Sequence, residues 1–132
     1  PTSKKRLTSA DFRKARKYKT QDVFVPELDG FVMMKSLTGK ERDAFESSLR
    51  IKKNGKDVVD ATNMRAKLVV LCAIDETGNR VWGDADAAWL GDSMSSVISL
   101  LYNAASKLSG FTLEDTDELE GNSKGGPGGG SK

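Results

Sequence analysis

The stretch that most constrains this fold is residues 63–74, Asn-Met-Arg-Ala-Lys-Leu-Val-Val-Leu-Cys-Ala-Ile. Met64, Leu68, Leu71, Cys72 and Asp75 follow helical spacing, and Val69, Val70, Ala73 and Ile74 make the remaining faces apolar too. A helix that is apolar nearly all round must be covered on every side, so the rest of the chain is expected to wrap around it. The run is well short of the roughly 18 apolar residues that span a bilayer. The basic, polar residues 1–20 lack the apolar core of a secretory signal. A soluble protein of one domain is therefore expected from its 132 residues.

The same stretch holds the only cysteine, followed by Asp75, Glu76 and Gly78. The chain contains no histidine. That removes the usual general base near neutral pH and excludes a Cys-His or Ser-His-Asp site within this chain. One cysteine cannot form a disulfide framework and gives zinc too few ligands. Near the C-terminal end of a buried helix, Cys72 should behave as a small hydrophobe, its thiol pKa raised by the helix dipole and by Asp75 and Glu76. Asp75, Glu76, Asp84 and Asp86 lack the spacing of a calcium loop, and Asp75, Glu76 and Asp84 are read as turn and cap residues. Gly125–Gly130 lacks the strand, helix and Lys-Ser/Thr of a phosphate loop. No catalytic residue, cofactor or metal is expected.

The flanking segments predict the cover. In residues 22–35, Val23, Val25, Phe31 and Met33 suggest two short strands joined at Leu28-Asp29-Gly30, with Pro26 closing the first. Thr38 and Glu41 form a capping box for a helix over 36–53, stopped by Asn54-Gly55, and the loop Lys53–Thr62 follows. After a turn at Asp75–Asn79, a short extended piece is expected at Arg80–Trp82. Asp84 is expected to cap a short helix bearing Ala87, Trp89 and Leu90. The clearest amphipathic helix starts at Ser93. Met94, Val97, Ile98, Leu101, Ala104, Ala105 and Leu108 form its stripe, and Gly110 is its C′ glycine. A last short helix, capped by Thr112 with Asp115 three residues on, precedes a glycine-rich end. The fold class expected is mainly α with a small N-terminal β-hairpin (α+β). Its organisation is a basic arm over 1–20, a compact helical domain over 21–121 and a flexible Gly-rich tail over 122–132.

Charge is divided along the chain. Residues 1–19 carry eight basic side chains against Asp11 alone, a local +7, whereas the whole chain is only +2. Ser9 is expected to cap a short helix from Asp11 to Tyr18 within this arm, with Phe12 and Tyr18 as its apolar contacts. The arm suits phosphates, with its aromatic residues available for stacking. It equally suits an acidic partner or the acidic end of a neighbouring subunit, and nucleic acid is the less favoured of these.

Three segments together resemble the tail assembly chaperones of long-tailed bacteriophages: Ser36–Ser48 (SLTGKERDAFESS), Asn63–Trp82 (NMRAKLVVLCAIDETGNRVW) and Ala104–Asn122 (AASKLSGFTLEDTDELEGN). The resemblance covers about residues 20–122, in the order and spacing of that family. It implies a non-enzymatic protein of the host cytoplasm that keeps the tape-measure protein soluble during tail assembly and is absent from the mature virion. It also implies a short form and a longer form made by ribosomal frameshifting, the extension of which recruits tail-tube protein. This chain would be the short form, without membrane contact and self-associating as a homo-oligomer. The residues expected to touch the partner are Phe12, Phe24, Met94, Val97, Leu101 and Leu108. The alternatives are a virion structural protein of the tail or head–tail connector, and a nucleic-acid-binding protein that uses the arm.

Overall fold

The computed structural model describes residues 4–111. The expected short helix capped by Thr112, ending before Gly121, and the glycine-rich end lie outside the described residues. The element order is α1 (Ser9–Lys14), β1 (Thr20–Val25), β2 (Gly30–Lys35), α2 (Gly39–Ser48), β3 (Arg50–Lys53), β4 (Lys56–Val59), α3 (Met64–Cys72), β5 (Ala73–Ile74), α4 (Ala87–Leu90) and α5 (Ser95–Leu108). Two sheets form, a three-stranded one in the order β1-β2-β5 and a two-stranded one of β3 and β4.

This corrects the expectation of a mainly α domain with one hairpin. The protein is α+β, with five described strands in two sheets. Two misreadings account for the difference. The capping box is present, since Thr38 Oγ1 accepts from the Glu41 amide and the Glu41 carboxylate from the Thr38 amide. Its helix nevertheless ends at Ser48, not at Asn54-Gly55. Residues 50–59, read partly as helix and partly as loop, are a second hairpin with Arg50↔Val59 and Lys53↔Lys56 in register. Asn54 (φ 55) and Gly55 (φ 78) supply the two left-handed residues that a tight hairpin turn requires. The strands escape a pattern search because they are largely exposed and show no apolar alternation. The second misreading lies at Ala73-Ile74. There the apolar run leaves the helix and pairs with β2 through Met34↔Ala73 and Met33↔Ile74. A fully buried strand and a fully buried helix look alike in hydrophobic periodicity.

The first hairpin agrees with expectation. Pro26 starts a 3-10 turn that ends β1, and Asp29, with φ 52, returns the chain into β2. Val23, Val25 and Met34 are buried, while their alternating neighbours Phe24 and Phe31 point outward with ring centroids 5.2 Å apart. Helix α5 packs against β1, β2 and α3, and α2 and α4 cover other sides of α3. Ala66, Leu68, Val69, Val70 and Cys72 of α3 are all buried, as the sequence required.

Helix ends are closed by side chains and turns. Arg80 Nε donates to the Val70 carbonyl in the last turn of α3 at 2.9 Å, and its Nη2 to Asp84 at 2.8 Å. Asp84 is therefore an ion-pair partner rather than the expected helix cap. Gly110, with φ 77, turns α5 off: its amide reaches the Lys107 carbonyl and the Phe111 amide reaches Ser106, the paired bonds of a Schellman motif.

Lys35 sits at the open end of the first hairpin, 5% exposed despite its charge. Its ammonium donates to the Glu41 carboxylate and to the Ser36 carbonyl, and stands 5.0 Å from the Tyr18 ring centroid. Partial burial pushes the Glu41 carboxyl up. The hydrogen bond from Lys35 and the bonds from Thr38 outweigh it and hold the group below the ordinary glutamate value of 4.5. A lowered folded pKa stabilises the protein above that value, and the contribution fades as pH falls below it. In urea titrations from pH 7 to 3, Glu41→Gln should cost about 2 kcal/mol at neutral pH and flatten the acid decline.

Gly91 is demanded by packing. Asn63, itself left-handed at φ 62, donates from Nδ2 to the Ala87 carbonyl. A Cβ at residue 91 would stand 2.7 Å from Asn63 Cγ and closer still to its Oδ1. Gly91→Ala should therefore lower unfolding free energy by roughly 1–3 kcal/mol. The added cost should shrink in an Asn63→Gly background, which a double-mutant cycle in urea reads directly.

Candidate docking groove

The groove is formed where the turn of the first hairpin meets α4 and the N-terminal half of α5. Its floor includes Val25, Leu90, Val97 and Leu101, all buried, and its lip is formed by Leu28, Trp89 and Met94, which are 67%, 54% and 51% exposed. The cavity holds about 430 Å³. That falls within the size of ordinary ligand clefts, and its lining is mainly apolar.

Two carboxylates, Glu27 and Asp86, hold the lip in place. Ser96 Oγ donates to the Glu27 carboxylate, which ties the hairpin turn to the first turn of α5. That bond lowers the Glu27 pKa. Bonded to Ser96 in the first turn of α5, the carboxylate is also placed where helix N-termini favour negative charge. On the opposite lip, Trp89 Nε1 donates to Asp86 at 2.8 Å, and the Gly83 amide donates to the same carboxylate. The Trp89 bond, foremost, holds Asp86 below the usual aspartate range. The indole is thereby fixed through its nitrogen.

Of the six residues expected to touch a partner, three come together here. Met94 is on the lip, while Val97 and Leu101 contribute only from the floor, 8% and 1% exposed. Leu108 is half-buried against the core near the far end of α5, outside the groove. Phe24 lies on the outer face of β1, beside Phe31, and Phe12 lies on α1, 71% exposed. Leu28, Trp82 and Trp89 escaped selection because turn chemistry and core packing explained each of them locally. Two tryptophans close to Asp84, Asp86 and Asp92 were the available signal, since aromatic residues in a polar segment often mark contact surfaces.

Asp75, Asp84 and Asp86 are engaged in local structure. The Asp75 carboxylate accepts from the Thr77 amide and hydroxyl and from the Asn79 amide, which lowers its pKa and builds the turn at Gly78. Asp84 and Asp86 bind Arg80 and Trp89. Among the described residues, no three His, Cys, Asp or Glu side chains are grouped so as to hold a metal, and no helix is long and apolar enough to cross a membrane.

Cys72 is fully buried, and its thiol is pushed up to about 12. Burial is the main cause. The carboxylate that adds to it is Glu41, not Asp75 or Glu76, while Lys35 and Arg80 pull the other way. Iodoacetamide at pH 7.5 should leave Cys72 unmodified in the native protein for hours. Stoichiometric labelling should appear only in denaturant, as mass spectrometry would show.

The arm is anchored and then projects. Tyr18 packs beneath Lys35, and the Lys19 amide and carbonyl pair with the Ser36 hydroxyl and amide at 2.8 Å. Beyond that anchor, α1 spans Ser9–Lys14 instead of Asp11–Tyr18, and its cap is Thr8, not Ser9. The Thr8 amide and hydroxyl donate to Asp11, whose amide returns a bond to the Thr8 hydroxyl.

No protein-family model matches this chain, and neither a curated protein nor a solved structure is significantly similar to it.

Proposed function

We propose that this protein is a tail assembly chaperone of a long-tailed bacteriophage, a non-enzymatic holder of the tape-measure protein in the host cytoplasm. The observation that carries the reading is the groove of Leu28, Trp89 and Met94, an open apolar surface on a small domain that has a complete core beneath it. An apolar helix face of a long partner gains cover by lying there, and side chains at i, i+3 and i+7 of such a helix suit a lip of this kind. The sequence resemblance over residues 20–122 supplies the identity of the partner. In the same reading, a longer frameshifted product brings tail-tube subunits to the complex, and the chain leaves before the virion is complete.

The test is coexpression with a tape-measure fragment. The wild-type chain should move most of the fragment into the soluble fraction. The Leu28→Lys/Met94→Lys double variant, altered at exposed positions, should lose at least about tenfold in fragment affinity while keeping its thermal midpoint. Fragment solubility indifferent to the chain would defeat the reading. Stable recovery of the chain from purified particles would point instead to a virion structural protein.

A further inference from the structure

The three-stranded sheet closes one of its edges and leaves the other open. Beyond β5, the Val81 amide donates to the Ala73 carbonyl and Arg80 bridges Ile74. Beyond β1, no strand pairs among the described residues. The Ser36 amide donates to the Lys19 carbonyl, so the alternation of an antiparallel ladder turns Gln21, Val23 and Val25 toward β2. The amides and carbonyls of Thr20, Asp22 and Phe24 therefore face away from β2, toward the open edge. Among the described residues, no hydrogen bond from another element reaches these groups.

Edge strands are usually blunted by a lysine, a proline or a bulge. Thr20–Val25 contains no lysine or proline and runs in unbroken register with β2. Beside the edge lies the aromatic pair. Phe24 and Phe31 are 45% and 69% exposed, and Met33 is half-buried on the same face. The charges along the edge are sorted by sign. Residues 13–19 carry Arg13, Lys14, Arg16, Lys17 and Lys19 and no acid, whereas residues 20–34 carry Asp22, Glu27 and Asp29 and no lysine or arginine. Lys17 and Lys19 are exposed just before β1, and Asp22, Glu27 and Asp29 are exposed within and after it.

We propose that the open edge of β1 receives an extended segment of a partner protein as a further, antiparallel strand. The segment begins with lysine or arginine beside Glu27 and Asp29 and ends with aspartate or glutamate beside Lys19 and Lys17. An antiparallel neighbour runs against β1, which puts its first residues at the acidic end. Its residue opposite Phe24 is aromatic and extends the Phe24–Phe31 pair, and its residue opposite Asp22 is basic. Main-chain bonds to Thr20, Asp22 and Phe24 give affinity, and the sorted charges set direction. The inference rests on the edge alone, apart from the groove and from the identity of the tape-measure partner.

The probe is a fluorescent peptide, Lys-Lys-Ser-Phe-Thr-Lys-Thr-Thr-Ser-Glu-Glu, whose Phe falls opposite Phe24 and whose third lysine falls opposite Asp22. Titrated with the full-length protein up to about 1 mM, it should bind saturably by anisotropy. Exchanging its terminal pairs, with Glu-Glu first and Lys-Lys last, should weaken binding at least about tenfold at low salt. N-methylating the Phe and third Lys amides, which face β1, should cost about tenfold or more. Methylating instead the Thr amides on either side of that lysine should change affinity by less than about twofold. Asp22→Pro removes an edge-facing amide without touching the bonds to β2, and should abolish binding, whereas Asp22→Asn should keep part of it. A probe that does not bind, a charge-exchanged probe that binds equally well, or methylation whose effect is independent of position would each overturn the proposal. Dimers of the chain that form through β1 and dissociate in Asp22→Pro would assign the edge to a second copy and overturn it too. Probe binding by a chain that fails to solubilise the tape-measure fragment would remove the chaperone reading and keep this one.

Discussion

The fold depends on the burial of α3, of which only Arg65 is exposed and Lys67 and Leu71 are half-buried. A helix apolar nearly all round gains most when little of it is left to water, and each fully buried aliphatic side chain contributes about 1.5–3 kcal/mol. Such a helix cannot end freely, because its last carbonyls would be stranded in the core. The chain meets this demand by turning Ala73 and Ile74 into a strand against β2 and by bringing Arg80 back to the Val70 carbonyl. The sheet therefore grows directly out of the helix terminus, and the turn at Asp75–Asn79 exists to return Arg80 to its place.

A second constraint joins the hairpin to the helices. Lys35 is buried, and a buried ammonium must have partners. Glu41 supplies the charge, Ser36 the carbonyl and Tyr18 the aromatic face. Glu41 also closes the first turn of α2, so one carboxylate fixes the start of a helix, the end of a strand and the root of the arm. Gly91 and Asn63 play a comparable part where α4 meets the start of α3.

Much of this was legible in the residues. The Thr38–Glu41 box, the Leu28-Asp29-Gly30 turn, the burial of Cys72 and the Gly110 stop each follow from local chemistry that tertiary packing did not override. Three features were hidden for physical reasons. The second hairpin carries charges where a strand pattern looks for alternation, and Asn54-Gly55 serves both as a hairpin turn and as an apparent helix stop. Ala73-Ile74 shows no period because both its faces are buried. The groove was only half visible, since Met94, Val97 and Leu101 are set by helical spacing while Leu28 and Trp89 join them through contacts distant in sequence, such as Ser96 with Glu27.

The Schellman turn at Gly110 has a directional consequence. It sends Phe111 back over α2, where its ring stacks 6.3 Å from Phe45 beneath the Arg42 guanidinium, and Ser109 Oγ receives the Leu37 amide nearby. The groove lies at the opposite end of α5, a helix of 14 residues and so about 20 Å long. Phe111, the last described residue, thus lies on the α2 side. The two ends of α5 are thus separate poles, one presenting the apolar lip and the other locked to α2 through aromatic stacking and a capped turn.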